Sequence, residues 1–175
     1  ETFLDNVRVE KNQVVGEVNH GWTIAKYLLT HEREMIGGFG LTTAGSDTLG
    51  KIAANAVGME HGRMADTILR AEVLKWEIDA AAFALTAERV TDEVKSGQGV
   101  GATSAMLKYY GTELNKRRFE TMMKIHGSDA MIWEGAASKD GWMPRTWLRT
   151  KGNSIEGGTS EVQLNIIAKN ILGLG

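Results

Sequence analysis

Two places in this chain hold residues whose types and spacing could do chemistry. One is Ile155-Glu156-Gly157-Gly158-Thr159-Ser160-Glu161-Val162-Gln163, followed by Ile166-Ile167-Ala168 and Ile171-Leu172-Gly173-Leu174. Two glycines ahead of a capped helix let the backbone approach a ligand closely. The first amides of such a helix point outward with partial positive charge, which suits a carbonyl or phosphate oxygen. The same letters also suit an ordinary loop closed by a Thr or Ser cap. The other place is Leu28-Leu29-Thr30-His31-Glu32-Arg33. Glu32 lies four residues after Leu28, three after Leu29 and seven after Ala25, so it falls along an apolar helical stripe. A carboxylate withdrawn from water is a stronger base, and removing a proton from carbon needs one. The alternative is a structural glutamate paired with Arg33 or with a residue on another helix.

Other chemistries are excluded by composition. The 175 residues contain no cysteine, which removes disulfides, thiolate zinc sites, iron–sulfur clusters and cysteine nucleophiles together. Glu17-Val18-Asn19-His20 is the single E-x-x-H spacing, whereas a di-iron bundle needs two such motifs and two further carboxylates, so no metal site is expected. Lys+Arg number 20 against 22 Asp+Glu, and Lys116-Arg117-Arg118 reads as a solvated helix face, so no nucleic-acid partner is expected. No apolar run approaches the ~20 residues of a membrane span, and the first residues do not read as a signal peptide.

The elements that must position these residues are helices. With 42% hydrophobic residues the chain can bury one domain, and its single proline, Pro144, interrupts little. Helical periodicity covers about 20–36, 61–96, 104–126 and 160–172, with a weak short helix near 47–57 and another following Pro144 to about Thr150. Ile68, Leu69, Trp76, Phe83, Leu85, Val90 and Val94 are the expected apolar side of the longest one. Thr103 or Ser104 can cap the helix that follows it, and Ser160 with Gln163 has capping-box spacing. Residues 1–19 alternate instead, as a strand, a turn and a second strand, which are marginal without a sheet. The expectation is an all-α chain: an antiparallel up-and-down four-helix bundle over 20–175 with an additional C-terminal helix. A short β fragment over 1–19 precedes it, the end of a domain cut from a longer protein.

These residues resemble the C-terminal part of an acyl-CoA dehydrogenase. Phe3-Leu4-Asp5-Asn6-Val7-Arg8-Val9 with Val15-Gly16-Glu17-Val18-Asn19-His20-Gly21-Trp22 looks like the end of the family's middle β-domain and the run into its last domain. Leu29 through Arg33 resembles L-x-x-E-R in the first helix there. Lys124-Ile125-His126-Gly127-Ser128-Asp129-Ala130 sits where the family has Q-x-x-G-G-x-G, and Gly157 through Gly173 resembles the G-G-T-S-E-I-Q ending. The sequence departs from the pattern in lacking R-x-F-G after the second helix, and in having Lys124 where Gln is usual.

The resemblance implies FAD-dependent dehydrogenation of an acyl-CoA thioester to a trans-2-enoyl-CoA, with electrons passing to an electron-transfer flavoprotein. It implies Glu32 as the catalytic base, because the usual C-terminal carboxylate position is Gly157 and Glu156 falls one residue early. It places Arg33 and Gly157 at the substrate, and Gly127, Ser128, Thr159 and Glu161 at FAD. It further implies an oligomer built through the helices, a homodimer, homotetramer or heterotetramer, in the bacterial cytoplasm or the mitochondrial matrix. The other function open at this point is a non-catalytic helical subunit that assembles a heteromeric dehydrogenase.

Overall fold

The computed structural model describes residues 2–38, 48–136 and 140–175. In order they form α1 (Gly21–Gly38), α2 (Leu49–Val57), β1 (Met59–Glu60), β2 (Arg63–Met64), α3 (Thr67–Lys95), α4 (Thr103–His126), α5 (Trp142–Asn153) and α6 (Ser160–Asn170). Local chemistry sets several boundaries. Asp66 caps α3, its carboxylate accepting from the Ile68 and Leu69 amides at 2.9 Å each. Thr48 caps α2 by accepting from the Lys51 amide at 3.3 Å. Pro144 occupies the first turn of α5, where a missing N–H is harmless. The pattern between Phe39 and Asp47 lies outside the described residues.

The bundle is centred on α4, which packs against α1, α2, α3, α5 and α6. Its buried residues run round the helix and include Ala105, Leu107, Gly111, Leu114, Phe119, Met122 and Ile125. Two apolar clusters result. Leu49, Ala53, Val73, Phe119, Met122 and Met143 belong to one, and Phe83, Val90, Leu107 and Leu114 to the other. Trp76 packs against both, and its indole N–H donates to the Leu114 carbonyl at 2.8 Å, tying α3 to α4.

Several sequence expectations are corrected. Residues 2–19 form no strand pair among the described residues; they are exposed, with a single 3-10 turn at Lys11–Gln13. A strand needs a neighbour for its amides and a layer for its apolar side, and this segment has neither among the described residues. The long helix starts at Thr67 rather than 61, because residues 59–64 fold back as a hairpin whose turn residues His61 and Gly62 both have positive φ, 49° and 74°. Of its expected apolar side, Leu69, Phe83 and Val90 are buried, whereas Ile68, Leu85 and Val94 are exposed. Helix α4 follows Ala102 with no side-chain cap, and the Ser104 hydroxyl donates to the Gly101 carbonyl instead. Lys116-Arg117-Arg118 is not a solvated face. Lys116 pairs with Glu113 at 2.7 Å and Arg117 with Asp79 of α3 at 2.8 Å, while Arg118 lies 5.9 Å from the Trp76 ring centre.

Candidate functional site

The C-terminal turn is held from the inside. Gly157 and Gly158 both have positive φ, 65° and 102°, which lets the chain reverse between α5 and α6. Beneath them lie two side chains with no exposed surface, Lys108 of α4 and Gln163 of α6. The Gln163 amide donates to the Gly157 carbonyl at 2.7 Å and to the Gly158 carbonyl at 3.4 Å. The Lys108 ammonium donates to the Gly158 carbonyl at 2.6 Å and to that of Ser154, the C-cap of α5, at 3.0 Å. Burial lowers the Lys108 pKa, partly offset by the field of Glu113.

Those inward carbonyls dictate where the amides go. Both peptides are trans, so each N–H points opposite to the C=O of its own plane. With the Gly157 and Gly158 carbonyls aimed at the interior, the N–H groups of Gly158 and Thr159 face outward. Among the described residues neither is taken up by a backbone carbonyl. Thr159 then caps α6 by accepting from the Val162 amide at 3.4 Å. The capping box expected of Ser160 and Gln163 does not form: Gln163 turns inward, and the Ser160 hydroxyl donates to Glu113 at 2.8 Å. Glu161 sits in the first turn, its carboxyl pKa lowered by its own backbone N–H and by the Thr159 hydroxyl.

The two candidate bases differ in surroundings. Glu32 lies half-buried on α1, beside His31, whose ring meets Tyr27 edge-on at 4.6 Å between centres. Glu156 is exposed and held by Arg149 at 2.8 Å and by the Asn153 amide at 3.3 Å. The Arg149 hydrogen bond lowers the Glu156 pKa, so it is ionised but a weak proton acceptor. Arg33 is on α1, and its side chain lies outside the described residues.

The remaining expected site residues fall elsewhere. Gly127, with φ 55°, ends α4, and Ser128 lies in the 3-10 turn Gly127–Met131 that follows. Thr159 and Glu161 start α6, whose neighbour Ser160 reaches Glu113. Between Glu113 and Gly127 α4 rises by roughly 20 Å. The chain therefore does not gather the four into one patch: Thr159 and Glu161 stand near the middle of α4, Gly127 and Ser128 at its C-terminal end. Lys124, in place of the usual Gln, is bound to Glu72 of α3 through both carboxylate oxygens, at 2.8 and 2.7 Å.

Sequence reasoning missed Lys108 and Gln163 as the supports of the turn. A lone lysine in a helix reads as solvated. The available signal was the small residues Ser104, Gly111 and Thr112 around it, which leave room for another segment's backbone to approach α4.

The acyl-CoA dehydrogenase C-terminal domain model matches residues 19–172. The chain belongs to the acyl-CoA dehydrogenase family. It is 30% identical to acyl-CoA dehydrogenase FadE34 of Mycobacterium tuberculosis over 99% of its length, which is 22% of that protein. It is 28% identical to acyl-CoA dehydrogenase IpdE1 of Mycolicibacterium smegmatis, covering 99% of this chain and 42% of that one. Among solved structures, the Tcur3481–Tcur3483 steroid acyl-CoA dehydrogenase superposes with a TM-score of 0.81 at 25% identity, over 99% of this chain and 44% of that one. The chain thus spans less than half the length of these relatives. Among the described residues no group of His, Asp and Glu is placed to hold a metal ion, and no helix is long and apolar enough to cross a membrane.

Proposed function

We propose that this chain is the helical end of an FAD-dependent acyl-CoA dehydrogenase, in which Glu32 removes the α-proton of an acyl-CoA thioester. The observation that carries this reading is the contrast between the two carboxylates. Glu156, next to the glycine turn, is neutralised by Arg149 and poorly basic, whereas Glu32 is half-buried on the helix that packs against α4. A proton α to a thioester is weakly acidic, so its base must be partly desolvated and the developing enolate oxygen must meet preorganised donors. The backbone amides of the Gly157–Thr159 turn are such donors. The outward N–H groups support a reaction in which negative charge develops on a thioester oxygen, and the half-buried carboxylate is the candidate for proton abstraction.

The donor set of the turn also fits a flavin. With the Gly158 N–H left to the thioester oxygen, the Thr159 N–H suits the carbonyl-lined edge of an isoalloxazine ring, while the Glu161 carboxylate disfavours a phosphate at the start of α6. Thr159 would hold the ring edge, and Gly127 with Ser128 would serve a more distant part of a cofactor, on this protomer or a second one. When bound, FAD supplies the hydride acceptor that completes the α,β-oxidation to a trans-2-enoyl-CoA, with an electron-transfer flavoprotein as the onward acceptor. The likeness to a steroid acyl-CoA dehydrogenase favours a bulky, ring-bearing acyl group over a straight chain.

Oligomerisation through the helices is supported by α3. Ala71, Leu74, Ile78, Ala81 and Leu85 follow alternating spacings of three and four along its outer side. Leu74 is 51% exposed, and Ile78 and Leu85 are each 68% exposed. This seam suits a helix from another subunit, of the same or a different chain. The non-catalytic subunit remains the second reading, favoured by the Lys124–Glu72 pair, which occupies the side chain standing where the family has its Gln. Purified full-length protein decides between them. Visible flavin absorbance that is lost on anaerobic addition of a steroid side-chain acyl-CoA supports the dehydrogenase. A colourless protein, or one whose flavin responds to no acyl-CoA, supports the assembly subunit.

A further inference from the structure

We infer that Lys108 is a positioning residue, whose buried side chain fixes the Gly158–Thr159 peptide plane so that, with Gln163 fixing the plane before it, two consecutive N–H groups face the ligand. This rests on the dehydrogenase reading and deepens it.

The geometry has three parts. Lys108 joins the C-terminal end of α5 to the turn before α6, through the Ser154 and Gly158 carbonyls. Gln163 takes the Gly157 carbonyl and reaches that of Gly158 at 3.4 Å. Each carbonyl so captured turns the following N–H the opposite way, because the peptide is planar and trans. Glycines at 157 and 158 leave these planes free to rotate, so without inward bonds nothing in the local backbone would hold them. A tethered lysine is also an expensive way to fill a core, since an ammonium without exposed surface demands acceptors. A methionine would pack as well if only volume mattered. Glu113, Lys116, Glu156 and Glu161 act on Lys108 through their fields, and its hydrogen-bond partners among the described residues are the two backbone carbonyls. It touches no ligand, and its effect passes through the turn.

The test uses full-length protein, wild type against Lys108→Met and Gln163→Met. The probe is cinnamoyl-CoA, an unreactive chromophoric enoyl-CoA whose absorption moves to the red when its thioester carbonyl accepts hydrogen bonds. The flavin spectrum is recorded in parallel, for donors that serve the ring instead. Both variants are expected to keep their helical circular dichroism, to lose most of the red shift or of the flavin band's displacement, and to bind cinnamoyl-CoA roughly tenfold more weakly, the loss of about one to two net hydrogen bonds. A purely structural role would lower the melting temperature and leave the spectra of the folded fraction unchanged. That result overturns the inference, as does failure of both variants to fold. If Lys108→Met alone fails to fold, the spectra of Gln163→Met, which releases the adjoining peptide plane and loosens the hold on this one, decide the question. If wild type itself shows neither signature, the dehydrogenase reading fails. The inward clamp is then judged by amide exchange over residues 154–163, which Lys108→Met must accelerate at least tenfold for the clamp to stand.

Discussion

Replacing Gly158 with alanine tests whether the terminal turn is held from inside. Gly158 has φ 102°, a conformation that costs an L-residue ~1–3 kcal/mol. The added Cβ would also lie 2.6 Å from the Gln163 amide nitrogen. A glutamine end can usually swing aside, but Gln163 has no exposed surface into which to move. Its displacement strips the Gly157 carbonyl of its donor, and a buried unpaired polar group costs ~1–3 kcal/mol. The expected total is about 2–6 kcal/mol. Gly97 supplies the reference: φ is 88° and nothing lies within 4 Å of its added Cβ, so Gly97→Ala carries the backbone term alone. Hydrogen exchange over 154–163 and over 90–100, in full-length protein, reads the two local opening free energies. Gly158→Ala should exceed Gly97→Ala by about 1–3 kcal/mol. Equality within about 0.5 kcal/mol would mean that Gln163 does not brace the turn.

Three further outcomes are expected. The Lys108 pKa is lowered in the folded state, so between that value and 10.5 the folded chain binds fewer protons than the unfolded one; stability should rise with pH across this window, and Lys108→Met should flatten the rise in alkaline urea melts. Ile78→Glu with Leu85→Glu should lower the mass seen by light scattering of the full-length protein while leaving helicity unchanged, since both side chains face outward on α3. Trp76→Phe should destabilise by about 1 kcal/mol by losing the bond to the Leu114 carbonyl, and Trp76→Ala by ~3–5 kcal/mol by opening both apolar clusters, as measured by chemical denaturation.

The helices were legible because burial imposes a 3.6-residue period. All four main spans, the short helix before Val57 and the one around Pro144 lie close to where the pattern puts them. The pattern does not say which side of a helix faces inward when two sides are apolar. Hence Ile68 and Leu85, read as core, are exposed, while Val73 is buried. Residues 2–19 show the converse: an alternating pattern is a demand for a partner sheet, and none forms among the described residues. The glycine turn was legible as a turn, but its supports were not. Lys108 and Gln163 are far apart in the chain, and their types give no sign of burial; only the fold brings them beneath Gly157 and Gly158. The capping-box letters at Ser160 and Gln163 pointed to a local bond, and a demand from the turn took Gln163 instead.

The central claim is that Glu32, and not Glu156, takes the proton. The direct measurement is the rate at which flavin absorbance is lost when full-length protein is mixed anaerobically with its acyl-CoA, compared across wild type, Glu32→Gln and Glu156→Gln. Glutamine keeps the shape and removes the base, so Glu32→Gln should slow the loss by ~10²–10⁴-fold or more while acyl-CoA still binds. Glu156→Gln should stay within about threefold of wild type, since Arg149 already occupies that carboxylate. A near-wild-type rate for Glu32→Gln together with a collapsed rate for Glu156→Gln would contradict the account and move the base to the C-terminal turn.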